Sequence, residues 1–151
     1  MPTITPFLWF DTQAEEAMNF YASVFKRAKV ISVNKAQGRV MSVTFELEGQ
    51  KLMALNAGPQ FKFSEAISLF VGCETQQEID DLWQKLTADG GAPSRCGWLK
   101  DKFGLSWQIV PNALGRMLSD TDAAKAKRVL NAMLQMEKLD LTLLQRASDG
   151  V

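Results

Sequence analysis

The sequence predicts an α+β fold, two βαβββ modules followed by extra helices. Three observations predict it. Alternating or continuous apolar runs of strand type bracket two capped, amphipathic helix patterns. The order strand, helix, strands occurs twice before Pro111. Beyond Pro111 the spacing of apolar residues turns helical. The two halves match in pattern and not at a single sequence offset.

The first module spans about residues 3–57 and opens with a strand over 4–10. Thr12-x-x-Glu15 is a capping-box pattern, which satisfies the free N–H groups of a helix start. Ala14, Ala17, Met18, Tyr21, Val24 and Phe25 then form one apolar stripe. A short strand is expected over 29–33. Val43, Phe45 and Leu47 alternate with Ser42, Thr44, Glu46 and Glu48, the pattern of a half-buried strand. Gly49 turns the chain, and 52–56 returns as the partner strand.

The second module spans about 66–111. Residues 66–73 are a continuous apolar strand, Thr75-x-x-Glu78 is a second capping box, and Ile79, Leu82, Trp83 and Leu86 are the helical stripe. Gly90-Gly91 reads as a left-handed helix end. Trp98 to Val110 is a hairpin with a polar reversal at Asp101-Lys102-Phe103-Gly104. Its return strand sets Leu105, Trp107 and Ile109 against Ser106 and Gln108, with Lys100-Asp101 expected as a solvated turn pair. Residues 112–151 form a helical extension, expected to pack on the domain or on a dimer partner. There Ala126, Val129, Leu130, Met133 and Leu134 make an amphipathic helix with Ser119 or Asp120 near its start, and Asp140 caps a last short helix.

Composition excludes several classes of function. Lys plus Arg number 17 and Asp plus Glu 17, with no basic run, so neither nucleic acid nor an anionic membrane is an expected partner. No apolar run is long enough to span a bilayer, and the first residues lack the basic start and cleavage site of a signal peptide; a cytoplasmic location is expected. Histidine is absent, which removes His-ligated zinc and Ser-His or Cys-His catalysis. Proton transfer would fall to carboxylates, Lys, Tyr21, Cys73 or Cys96, and both cysteines read as packing thiols.

The doubled layout, with Thr5-Pro6-Phe7-Leu8-Trp9-Phe10, the segment 61–68 and Trp98-Leu99-Lys100-Asp101-Lys102-Phe103-Gly104, resembles the vicinal oxygen chelate superfamily. The resemblance is closest to its PhnB-like branch, often labelled 3-demethylubiquinone-9 3-methyltransferase, and covers nearly the whole chain. It implies the glyoxalase/bleomycin resistance-like fold, a homodimer and a cavity for a small organic ligand. In the superfamily's metalloenzymes, His or Glu on the first and last strands of each module bind a divalent metal. The matching positions here are Pro6 or Leu8, Ala54, Ser68 and Gln108, and only Gln108 could offer an oxygen of any use. No metal and no cofactor is therefore expected. The glycines form no fingerprint for S-adenosylmethionine, so the residues do not support the methyltransferase label.

The residues expected to line the ligand site are Glu46, Asn56, Gln60, Phe61, Phe63, Ser68, Trp98 and Gln108. Phe61, Phe63 and Trp98 also fit core or dimer packing, and Gln108 also fits a bond to a neighbouring strand. Three functions stay open: a protein that binds a small molecule, an enzyme of the glyoxalase/dioxygenase type, and a non-catalytic structural dimer.

Overall fold

The computed structural model describes all residues, Met1–Val151. The chain divides into two compact units, Met1–Lys62 and Phe63–Val151. In the first, β1 (Phe7–Phe10), α1 (Ala14–Val24), β2 (Ala28–Ala36), β3 (Arg39–Leu47) and β4 (Gln50–Asn56) follow in order. In the second come β5 (Ser68–Cys73), α2 (Gln76–Thr87), β6 (Ala92–Pro93), β7 (Trp98–Lys100) and β8 (Ser106–Pro111). The sheet orders are β1-β4-β3-β2 and β5-β8-β7-β6, so the two are one topology built twice. In each, the first and last strands run parallel and the rest antiparallel. The paired βαβββ fold is as expected.

In the first unit one sheet face is apolar and buried. Leu8, Phe10, Val43, Phe45, Leu47, Leu52 and Ala54 meet Ala14, Ala17, Met18, Tyr21 and Val24 of α1, with Tyr21 stacked on Phe45 at 6.3 Å. The first strand begins at Phe7 instead of residue 4; Ile4 is exposed, and strand pairing is joined by the Pro6 carbonyl, which accepts from Met53 N–H at 3.0 Å. The Thr12 capping box does not form. The Ncap residue of α1 is Gln13, with no side-chain cap, and Ala14 N–H is held at 2.8 Å by Asn56 Oδ1 from the end of β4. Tertiary contact has taken over a task that the local sequence pattern offered to Thr12. A hairpin that the sequence pattern did not reveal joins β2 to β3, with Gln37 and Gly38 both left-handed at φ 53° and 74°. Glu48 and Gly49 repeat that geometry between β3 and β4.

In the second unit the capping box does form. Thr75 Oγ1 accepts from Glu78 N–H at 3.2 Å, and the Glu78 carboxylate accepts from Glu74 N–H at 3.0 Å. The helix end differs from expectation. Its Ccap residue Ala88 is extended, and the left-handed residues are Asp89 and Gly90 beyond it. The two-residue β6 was also unexpected, being too short to carry any period.

The largest correction concerns Asp101, expected in a solvated turn and found 2% exposed. Its Oδ1 accepts from Phe103 N–H at 2.9 Å and Leu105 N–H at 3.1 Å, and its Oδ2 accepts from the Trp107 indole N–H at 2.9 Å. One carboxylate thus closes the β7–β8 turn and fixes the indole in the core. Ser106 and Trp107 are both 1% exposed, so β8 is buried on both faces there and does not alternate.

The extension forms α3 (Asn112–Leu118), α4 (Ala123–Met133) and α5 (Leu141–Asp149). Asp122 caps α4 in place of Ser119 or Asp120, and Asp140 caps α5 as expected. Val129, Leu139 and Leu144 cluster with Leu114 and with Val110 of β8, whereas Leu130 and Leu134 of the predicted stripe are exposed. The extension therefore packs on its own module. Backbone bonds secure it: Cys96 N–H donates to Met136 O and Gly97 N–H to Glu137 O, each at 2.8 Å. Gly97 has φ 86°, and a Cβ there would lie 2.9 Å from both Ile109 O and Leu139 Cδ1.

Replacing Asp101 with Asn leaves one acceptor oxygen where two were used, and turns an N–H of the amide toward another donor. Asp101→Asn should lower stability by about 1–3 kcal/mol, read as a lower urea midpoint. Gly97→Ala should cost about 1–3 kcal/mol and speed tryptic cleavage within 112–151, because strain and overlap fall where the extension docks.

Candidate functional site

With one face of each sheet occupied by its helix, the chemistry available to a ligand lies on the other. In the first sheet, register puts Phe7, Met53 and Thr44 in one row and Trp9, Leu55 and Ser42 in the next. Glu46 belongs to this face, level with Lys51 and Lys29 on its neighbouring strands. Phe7 is 51% exposed, a large apolar side chain left uncovered within its unit. The Trp9 indole N–H donates to Gly58 O at 2.9 Å, and Phe61 stands edge-on to the ring at 4.9 Å and 83°. The loop after β4 is thereby folded onto Trp9, making an aromatic corner at the edge of the open face.

The sequence-predicted residues of this unit divide. Glu46 and Phe61 belong to the open face and its rim, and Gln60 is exposed in the loop beside them. Asn56 lies on the opposite face, with Leu52 and Ala54. Its amide is engaged in structure: Oδ1 accepts from Ala14 N–H, and Nδ2 donates to Val40 O at 3.1 Å. Trp9 was missed because its alternation with Leu8 and Phe10 in a short aromatic strand gives no sign of which face is buried.

In the second sheet Ser68, Ser106 and Lys100 share a row across β5, β8 and β7, and Phe70, Gln108 and Trp98 share the next. Gln108 Nε2 donates to Ser68 Oγ at 2.9 Å, so two predicted residues meet directly. Trp98 is half-buried beside Gln108, and Phe63 is half-buried in the segment leading to β5. Lys100 Nζ pairs with the Glu65 carboxylate, and that hydrogen bond holds the Glu65 carboxyl below the usual carboxylate range. Ser106 and Phe70, absent from the expected set, belong to this face; Ser106 Oγ is buried with no hydrogen-bond partner.

The positions matched to the superfamily's metal ligands do not converge on a donor set. Leu8 and Ala54 are register partners on the buried face, 6% and 1% exposed, while Ser68 and Gln108 bond to each other. The chain contains no group of three or more Cys, Asp or Glu side chains able to hold a metal ion. A neutral hydroxyl that already accepts from a neutral amide N–H does not fit a divalent cation. Burial and the nearby Glu78 push the Cys73 thiol up to about 11, so it stays protonated.

The architecture is the glyoxalase/bleomycin resistance-like fold. The chain belongs to the family described as 3-demethylubiquinone-9 3-methyltransferase, which matches residues 2–110, and is PhnB-like. A PhnB protein from Bacillus cereus is 37% identical with a TM-score of 0.68, over 73% of this chain and 99% of that one. Protein PA1353 from Pseudomonas aeruginosa is 19% identical with a TM-score of 0.60, over 74% and 98%. A glyoxalase/bleomycin resistance protein from Albidiferax ferrireducens T118 is 10% identical with a TM-score of 0.52, over 72% and 96%; these last two likenesses concern fold alone. No curated protein matches. No helix is long and apolar enough to cross a membrane.

Cys73 is 1% exposed as well as protonated. In the native protein it should resist iodoacetamide at neutral pH and become modified only after denaturation, as peptide mass spectrometry will show.

Proposed function

We propose that this protein binds a small organic ligand on the open face of a sheet, each sheet taken by itself, without a divalent metal held by the superfamily's usual positions. The observation that carries the reading is the aromatic corner of Trp9 and Phe61, fixed by the indole bond to Gly58 O at the rim of a face that also bears Phe7 and Met53. A rigid aromatic surface held in place before binding loses little freedom when a ligand arrives. The second sheet presents on its own open face the uncharged hydrogen-bonding groups of Ser68 and Gln108. The donor chemistry at the matched metal positions supports the absence of a metal. Methyl transfer is not carried over from the family's description: each sheet is mixed, and neither is the doubly wound parallel sheet of the common S-adenosylmethionine enzymes.

An enzyme of the glyoxalase/dioxygenase type is the rival reading. Tyr21 is fully buried against Phe45 and Cys73 is protonated, whereas Glu46, level with Lys29 and Lys51, is a candidate acid or base on an open face. The reading also includes a homodimer in the cytoplasm, supported for the dimer by the exposed Leu130, Leu134 and Leu143 of the extension.

A thermal-shift screen of aromatic, quinone and glycopeptide-like compounds tests the proposal. Members of at least one class should raise the melting temperature, because binding to the native state alone adds stability. Trp9→Ala should weaken binding on the first sheet about tenfold or more, and Gln108→Leu should weaken binding on the second by a smaller factor. Stoichiometric zinc, nickel or iron in the purified protein, or no stabilisation by any compound, would overturn it.

A further inference from the structure

We infer that the open face of the second sheet takes a short-chain aromatic carboxylic acid, and that Glu65 occupies the carboxylate's place until such a ligand displaces it. The inference rests on the ligand-binding reading above and names the ligand's chemical class. Every residue it uses lies in the second unit.

Its first support is Ser106. The side chain is 1% exposed, and its hydroxyl has no hydrogen-bond partner. Buried hydroxyls almost always find one, so this orphan, covered though it is on the face that Ser68 and Lys100 share, marks a place for a polar group the structure lacks. The second support is the row in which it sits. Ser68 is its register partner on one side and Lys100 on the other, so two hydroxyls and an ammonium span three adjacent strands on one face. The Ser68 hydroxyl accepts from Gln108 and keeps its own proton for donation. Two O–H donors and a cation in line suit a carboxylate.

The third support is the next row. Phe70 and Trp98 flank Gln108 there, and Phe70 is 62% exposed. That row lies two residues along the strands, roughly 7 Å away, so a ring joined to a carboxylate by a short chain reaches both. The ammonium already holds a carboxylate, that of Glu65, with the Lys100 and Glu65 side chains 46% and 59% exposed. An ion pair so exposed is weak and gives way readily. Glu65 sits in a turn before β5 and outside any regular element, free to leave without breaking a strand. Its withdrawal frees the Lys100 ammonium, the register neighbour of Ser106, for another carboxylate.

Calorimetric titration of the whole chain with 3-phenylpropionate and with its neutral analogue 3-phenylpropionamide tests the inference. The acid should bind at least about tenfold tighter than the amide. Glu65→Gln removes the internal competitor and should tighten the acid about two- to fivefold. Lys100→Met should abolish the acid's advantage. Ser106→Ala should weaken the acid while leaving the urea midpoint unchanged or raised, since it deletes an unsatisfied hydroxyl; that combination separates a ligand contact from a structural role. Equal affinity for acid and amide, or weaker binding by Glu65→Gln, overturns the inference and leaves the ligand-binding reading standing. Failure of both probes also overturns it, and the broader reading falls with it only if the thermal-shift screen is blank.

Discussion

The second module depends on a carboxylate removed from water. Asp101 receives two backbone N–H groups of its own turn and the Trp107 indole, so one side chain specifies the reversal and anchors the largest buried ring. Hydrogen bonds to an ionised acceptor are the stronger kind, about 1.5–3 kcal/mol each. They must offset the cost of desolvating the carboxylate. Their structural effect is to fix position. β8 lies between β5 and β7, and its register decides that Trp107 and Ile109 pack inward while Gln108 meets Ser68, Phe70 and Trp98. A slip of one residue would exchange those faces and dissolve the site.

The duplication extends below the level of strand order. At the end of β4, Asn56 reaches the start of α1; just after β8, Asn112 reaches Glu74, ahead of α2. In both modules an amide at the end of the parallel partner strand or just past it ties the sheet to the segment that begins the helix. The local solutions differ. The first helix depends on Asn56 alone for its side-chain cap, whereas the second has Thr75 and Glu78 as well. In the first module, therefore, a change in the last strand is felt at the first turn of the helix.

Much of the fold was legible, for a physical reason: helices of eleven or twelve residues and strands of six or more leave a period in the sequence. Val43, Phe45 and Leu47 announced their face, and Thr75 with Glu78 announced a cap. Short or doubly buried elements gave no such signal. β6 has two residues, and Ser106 next to Trp107 breaks the alternation because both sides of β8 are covered. Polar residues were the hardest to place. Asp101 looked like solvent-facing turn chemistry, and Asn56 like a ligand contact, because sequence records that a side chain can hydrogen-bond and not with what. The site was legible where residues sit level across strands, as Trp98 and Gln108 do. It was opaque where a loop folds back, as the Gly58–Phe61 loop does on Trp9.

The attachment of the C-terminal helices bears on the order in which the molecule can be completed as it is made. Gln76, at the first turn of α2, donates to Leu139 O at 3.0 Å and accepts from Leu141 N–H at 2.8 Å, a partner sixty-five positions later. The unit ending at Lys62 has every element of its sheet before α2 has been translated. The following unit must wait for Leu139 and Leu141 to emerge from the ribosome before that glutamine is satisfied. Synthesis thus imposes a sequence of closure on two modules of the same topology, and the interval between them is when the aromatic strands of the later one most need shielding from other chains.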